Sequence, residues 1–148
     1  MQVKIQHGVL INKPVADVFA YVSNPENMIH WQSGMHQVTE KRDLANARLR
    51  GGAQVRDKRN ILGKDIDSRY EVVEFEQNRI LHMRLVDGPI SFQMRWTFEE
   101  SDGGTWFQAN GGGDLGDLPA SLSERGTQRQ AQNLLRHDME TLKDILEG

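Results

Sequence analysis

WFQANGGGDLGDLPASL (Trp106–Leu122) begins as a strand, with aromatic and short polar residues, and then sets Gly111, Gly112 and Gly113 in a row ahead of a helix start. Glycine weakens a strand interior, because it loses the most conformational freedom on folding and offers no side chain to pack. Three together point to a bulge, a close backbone approach, or space left open. Alternation puts Phe107, Ala109, Gly111, Gly113 and Leu115 on one strand face. A long helix follows, about 118–147, with no proline beyond Pro119. Leu135, Met139, Leu142 and Leu146 form its apolar seam at i, i+4, i+7, i+11. Its first half, SERGTQRQAQN (Ser123–Asn133), carries almost no apolar residue. Extended backwards, the seam reaches Ala131, Gln128 or Thr127, and Glu124. The polar half of the helix therefore faces the strand face from which side chains are missing. That juxtaposition predicts a cavity; a glycine bulge bending the last strand into the helix is the alternative.

Upstream of this pair the chain reads as strands. In ISFQMRWTF (Ile90–Phe98), Ile90, Phe92, Met94, Trp96 and Phe98 share one face and polar residues the other, which suits an antiparallel sheet wet on one side. Leu81, Met83 and Leu85 repeat the pattern one strand earlier. Turn signals separate strands near 35–43, 53–62, 65–76, 79–87, 90–100 and 105–115. A first strand, 2–12, puts Val3, Ile5, Val9 and Ile11 on one face with His7 among them. Between it and the second strand lie two short helices. Pro14 starts one, with Val15, Val18, Phe19 and Val22 on its apolar side. SNPEN (Ser23–Asn27) starts the other, with Asn24 as cap and Pro25 in the first turn. The predicted fold is α+β: a curved seven-stranded antiparallel sheet wrapped around a long C-terminal helix, in one domain spanning 1–148.

INKPVADVFAYVSNPENMIHW (Ile11–Trp31) resembles the opening signature of the SRPBCC, or START-like, superfamily. YEVVEFEQNRIL (Tyr70–Leu81) is similar to its mid-domain strand and turn, although Gln77 and Asn78 stand where the family often has proline. GGTWFQANGGGDL and LLRHDMETLKDIL resemble its last strand and final helix. Within the superfamily the chain looks most like the bacterial polyketide cyclase/dehydrase-like group. The resemblance implies a helix-grip fold around an apolar ligand tunnel. It leaves the chemistry open, because the superfamily spans carriers, receptors, cyclases, co-chaperones and oxygenase domains.

The residues exclude several chemistries. His7, His30, His36, His82 and His137 show no metal-binding spacing and read as solvated histidines; no metal site and no cofactor is expected. No nucleophile elbow surrounds a serine, and GGGDLGDL lacks the phosphate-loop lysine. Asp65 and Asp67 share a strand face. Asp114 and Asp117 read as caps for the last helix. The basic run Arg48–Lys64 is a hairpin without aromatics for base stacking, so no nucleic-acid partner is expected. Net charge is −3 and there is no cysteine, hence no disulfide framework. No apolar run is long enough to span a bilayer and no leader is visible, which predicts a cytoplasmic protein without membrane insertion.

What remains is the cavity wall. Met83, Phe92, Met94, Trp96, Phe107, Ala109 and Gly111 from the sheet, with Gln128 and Ala131 from the helix, are its expected lining. Val55, Asp57, Arg59 and Ile61 share one face of their strand; Ile66, Ser68, Tyr70 and Val72 share one of the next. If both faces point inward, Arg59, Asp57, Ser68 and Tyr70 form a polar cluster in an apolar pocket; a one-residue slip would turn all of them to water. The expected function is binding of a small apolar or amphipathic ligand as a carrier or sensor. The alternatives are a cofactor-free cyclase or dehydratase acting on a polyketide-like substrate with that cluster as catalytic residues, and a co-chaperone-like interaction module.

Overall fold

A computed structural model describes residues 1–87, 90–117 and 122–148. The strands are β1 (Gln2–Ile11), β2 (Met35–Arg42), β3 (Gln54–Ile61), β4 (Lys64–Glu76), β5 (Ile80–Asp87), β6 (Ser91–Ser101) and β7 (Gly104–Asp114). The helices are α1 (Val15–Val22), α2 (Met28–Trp31) and α3 (Glu124–Glu147). A 3₁₀ turn, Pro25–Asn27, leads into α2, and the Asn24 side chain caps it by accepting from the Glu26 N–H. The sheet runs β1-β7-β6-β5-β4-β3-β2, antiparallel throughout. This is the seven-stranded sheet with long C-terminal helix expected from the sequence, and its strand limits fall within a residue or so of the predicted ones.

The helix start differs. Ser123 is the N-cap of α3, accepting from the Gly126 N–H, so α3 begins at Glu124. Residues 118–121 of the predicted helix lie outside the described residues. Asp114 and Asp117 do not cap it. The Asp114 carboxylate accepts from the Met1 amine at 2.9 Å and from the Gly116 N–H at 2.8 Å, tying the start of β1 to the end of β7. Asp117 is exposed.

The glycines of β7 do not leave room. A Cβ on Gly111 would lie 2.8 Å from the Gln93 carbonyl oxygen and 2.8 Å from Met94 Sδ. One on Gly112 would meet the Val3 carbonyl oxygen at 2.6 Å, and one on Gly113 the Ser91 carbonyl oxygen at 2.0 Å. β7 is squeezed between β1 and β6 where the sheet coils, and the glycines permit that backbone approach. Of the sequence alternatives, space beside Gly111 is corrected to close approach.

Two apolar clusters fill the concave side. In the larger, Phe19, Phe98 and Phe107 stack with centroids 5.0 Å apart in each successive pair, and Met139 and Leu142 of α3 are fully buried against it. The smaller contains Val3, Ile66, Ile90 and Leu115.

The polar half of α3 has a role invisible in its apolar periodicity. β1 is an edge strand, and its outward N–H and C=O groups would template pairing with another chain. Gln132 accepts from the Gln6 N–H at 3.0 Å and donates to the Gln6 carbonyl at 2.6 Å. Gln128, one turn earlier, does the same to Lys4. Glu147 accepts from the Asn12 N–H. Side-chain amides thus stand in for a neighbouring strand. Replacing Gln128 and Gln132 together by alanine is expected to lower stability by about 1–2 kcal/mol, since water substitutes for each exposed bond. Hydrogen exchange should show the Lys4 and Gln6 amides losing protection before the rest of β1.

Candidate functional site

The alternation on β3 and β4 settles the parity. Val55 and Asp57 are buried, Ser68 and Tyr70 are buried opposite them, and Asp57 pairs directly with Ser68 across the ladder. The four polar candidates therefore meet. Arg59 donates from Nε and Nη2 to the two Asp57 oxygens at 3.0 and 2.6 Å. Ser68 Oγ donates to Asp57 Oδ1 at 2.7 Å, and the Arg59 guanidinium sits 6.0 Å above the Tyr70 ring. Asp57, fully buried, is saturated by these donors, which is the condition for burying a carboxylate. Arg59 keeps unpaired N–H groups, because the fork to Asp57 engages only Nε and one hydrogen of Nη2.

These residues edge a cavity of about 190 Å³ between sheet and α3. Its apolar walls include Met83, Phe92, Met94 and Trp96 of the sheet, Trp31 of α2 and Ala131 of α3. Five of the predicted lining residues are thus on the wall. Four are not. Phe107 and Ala109 share the inward face but are packed solid in the larger cluster, Gly111 is covered by Met94, and Gln128 reaches outward to β1.

Burial opposes the charged form of Arg59, but the hydrogen bonds and charge of Asp57 more than offset it and hold the guanidinium above its ordinary value. Burial pushes the Tyr70 phenol far up, with the Arg59 charge offsetting only part. Tyr70 is therefore an O–H donor, not a base. Its proton points at Met28 Sδ, 3.4 Å away and a weak acceptor, so a ligand oxygen could take that bond.

Asp138 escapes the sequence reading. It is buried on α3, lines the cavity, and accepts from the Ser33 N–H at 3.1 Å. Burial raises its pKa, and the bonds from Ser33 and the charge of His137 restore only part. The signal was present: Leu135, Asp138 and Leu142 stand at i, i+3, i+7, an acid in the phase of the seam. A raised folded pKa means stability present below the unfolded value and lost as pH rises through the folded one. Asp138→Asn should therefore melt above wild type at neutral pH, with the gain vanishing below the ordinary aspartate range. Thermal melts at a series of pH values check this.

His7 corrects the reading of the histidines as solvated. It faces inward with a buried Nε2, 3.7 Å from Glu140. No cluster of metal-ligating side chains occurs among the described residues, and no described helix is long and apolar enough to cross a membrane.

The family model described as "Polyketide cyclase / dehydrase and lipid transport" matches residues 2–147. The chain belongs to this family. Solved structures agree on the fold. The chain is similar to a START superfamily protein from Mycobacterium smegmatis, with a TM-score of 0.79, 16% identity and 97% of each chain covered. It is similar to ginseng major latex-like protein 151 from Panax ginseng, with a TM-score of 0.71, 10% identity and 99% of each chain covered. It also matches half of the di-domain ARO/CYC protein BexL, with a TM-score of 0.68, 18% identity, 99% of this chain and 50% of that one. A comparison with curated proteins finds no match. At these identities the neighbours establish architecture, and family membership narrows the role to ligand binding or cyclase-like chemistry.

Proposed function

We propose that the protein is a carrier or sensor for a small, mostly apolar ligand held between the sheet and α3, its polar atom anchored at Arg59. The observation that carries this is a cavity with apolar walls and one guanidinium whose charge is already balanced. An apolar cavity of about 150 Å³ holds a benzene ring, so 190 Å³ suits a ligand of about one or two rings. The neutral two-ring fluorophore 1-naphthylamine, which the volume admits, should bind with a blue-shifted rise in fluorescence. Ala131→Phe fills the cavity from a half-buried helix position, and should weaken the dye at least tenfold while the protein stays folded. A folded wild type that ignores the dye, or a filled variant that binds it unchanged, would sink the reading.

A second reading is favoured by Asp138 and Tyr70 lining one cavity. A base and an O–H donor around an oxyanion-binding arginine are what aldol closure of a β-ketone chain requires. Asp138 would take a methylene proton while Arg59 and Tyr70 hold the carbonyl oxygen that becomes the alkoxide. The alkoxide then takes a proton from Asp138, giving an aldol of unchanged mass, and loss of a further methylene proton with the new hydroxyl releases water as the ring aromatises. Mass spectrometry of a poly-β-ketone thioester mimic should show that loss of water, faster with the protein than without it, if this holds. An interaction module is the least supported role. The cavity is open, and the exposed large apolar residues Leu10, Trp106, Ile29, Val73, Leu122 and Ile145 are spread over several elements.

A further inference from the structure

We infer that the cavity selects neutral ring compounds carrying a hydrogen-bond donor over carboxylates of the same size, and that Asp138 is the specificity-determining residue. This rests on the ligand-binding reading above and adds the class of ligand.

The argument is a charge count over the inward-facing groups. Arg59 is the one cation facing inward among the described residues of the wall, and Asp57 neutralises it through two bonds at 2.6 and 3.0 Å. Arg84 also borders the cavity, but it is exposed and sits between the inward Met83 and Leu85, so its charge is spent on solvent. Tyr70 is neutral. Asp138 then remains as a carboxyl without a cation: its hydrogen-bond partner is the Ser33 backbone N–H, and the adjacent His137 is exposed.

An incoming carboxylate thus meets an arginine already paired and an acid with which it must compete. In a low-dielectric cavity that encounter is costly, because neither charge keeps its hydration. A phenol or alcohol meets the opposite situation. Its oxygen can accept from the free Arg59 N–H groups or from Tyr70, and its proton can be given to Asp138. Apolar walls supply affinity for both compounds equally, so the polar groups decide between them.

The test compares 2-naphthol with 2-naphthoate, which share a ring system and differ in the group presented. At pH 7.5, calorimetric titration of wild type should give a naphthol affinity at least tenfold above that for naphthoate. Asp138→Asn keeps an oxygen for the Ser33 N–H and removes the charge. It should bring the two affinities within about threefold, chiefly by tightening naphthoate. Equal binding of the two by wild type would overturn the inference while leaving the binding reading intact. So would a preference for naphthol that survives unchanged in Asp138→Asn. A folded wild type that binds neither 2-naphthol nor 1-naphthylamine would overturn the binding reading, and this inference with it.

Discussion

Asp57→Ala is expected to destabilise the protein by about 3–5 kcal/mol, the usual cost of removing one partner from a buried ion pair. The Asp57 carboxylate is fully buried and receives three hydrogen bonds, two from Arg59 and one from Ser68. Without it the Ser68 hydroxyl loses its acceptor in a buried position, and the guanidinium faces the Tyr70 ring and an apolar cavity. Arg59 retains some solvent contact, with 22% of its side chain accessible, which places the loss toward the lower end. Replacing the pair, Asp57→Val with Arg59→Met, should recover most of the stability, since a hydrophobic pair of similar volume avoids the desolvation penalty. That double variant should nevertheless lose its affinity for an oxygen-bearing ring compound. Urea melts and naphthol titration on the same samples separate the two roles. A double variant as unstable as Asp57→Ala would show that the fold needs the pair, and one that still binds naphthol as tightly as wild type would show that the pair does not serve the site.

The membership of the polar cluster was legible because strand alternation is strict, but the side it faces was not. Once Val55 and Val72 are inward, Asp57, Arg59, Ser68 and Tyr70 must follow, and β3 and β4 pair from Gln54 to Ile61 without a slip. The ladder from β4 to β5 does shift twice, between Arg69 and Tyr70 and between Val72 and Glu74. At the first the extra residue is Val86 of β5, and the second lies beyond the cluster, so the alternation of β4 through Ser68 and Tyr70 is undisturbed. Depth was not legible. Phe107 and Trp96 share a parity, but Phe107 is stacked on Phe98 at 5.0 Å while Trp96 borders open space. Which of two inward residues meets a void depends on how α1 and α2 fill the sheet from above. Asp138 was missed for a related reason. A seam of Leu135, Met139, Leu142 and Leu146 explains the helix without it, and an acid three residues after a leucine reads as surface until Ser33 is brought to it. The edge-capping glutamines were missed because periodicity searches weigh apolar residues, and the signal at Gln128 and Gln132 is polar at helical spacing.

The glycine triplet was read furthest from its role, and the sharpest remaining prediction concerns it. Adding one methyl group should have opposite consequences along the chain. Gly51 lies in a turn where a Cβ would meet Phe75 Cβ at an ordinary 3.7 Å. Gly51→Ala should be neutral or stabilising by up to about 1 kcal/mol, through reduced freedom of the unfolded chain. At Gly111 the new methyl would sit 2.8 Å from both the Gln93 carbonyl oxygen and Met94 Sδ. The thioether can swing away into the cavity, but the carbonyl cannot, so Gly111→Ala should lose about 1–2 kcal/mol. At Gly113 the methyl would fall 2.0 Å from the Ser91 carbonyl oxygen and 2.7 Å from Phe92 Cα. Both are backbone atoms of β6, and relieving them means parting β6 from β7 beside the cavity. Gly113→Ala is therefore expected to cost about 3 kcal/mol or more, at the upper range of overpacking. Melting temperatures of the three variants should fall in the order Gly51→Ala, Gly111→Ala, Gly113→Ala. If Gly113→Ala melted with wild type, the close approach of β6 and β7 would not be the reason for glycine there, and the last strand would have slack enough to admit side chains into the cavity.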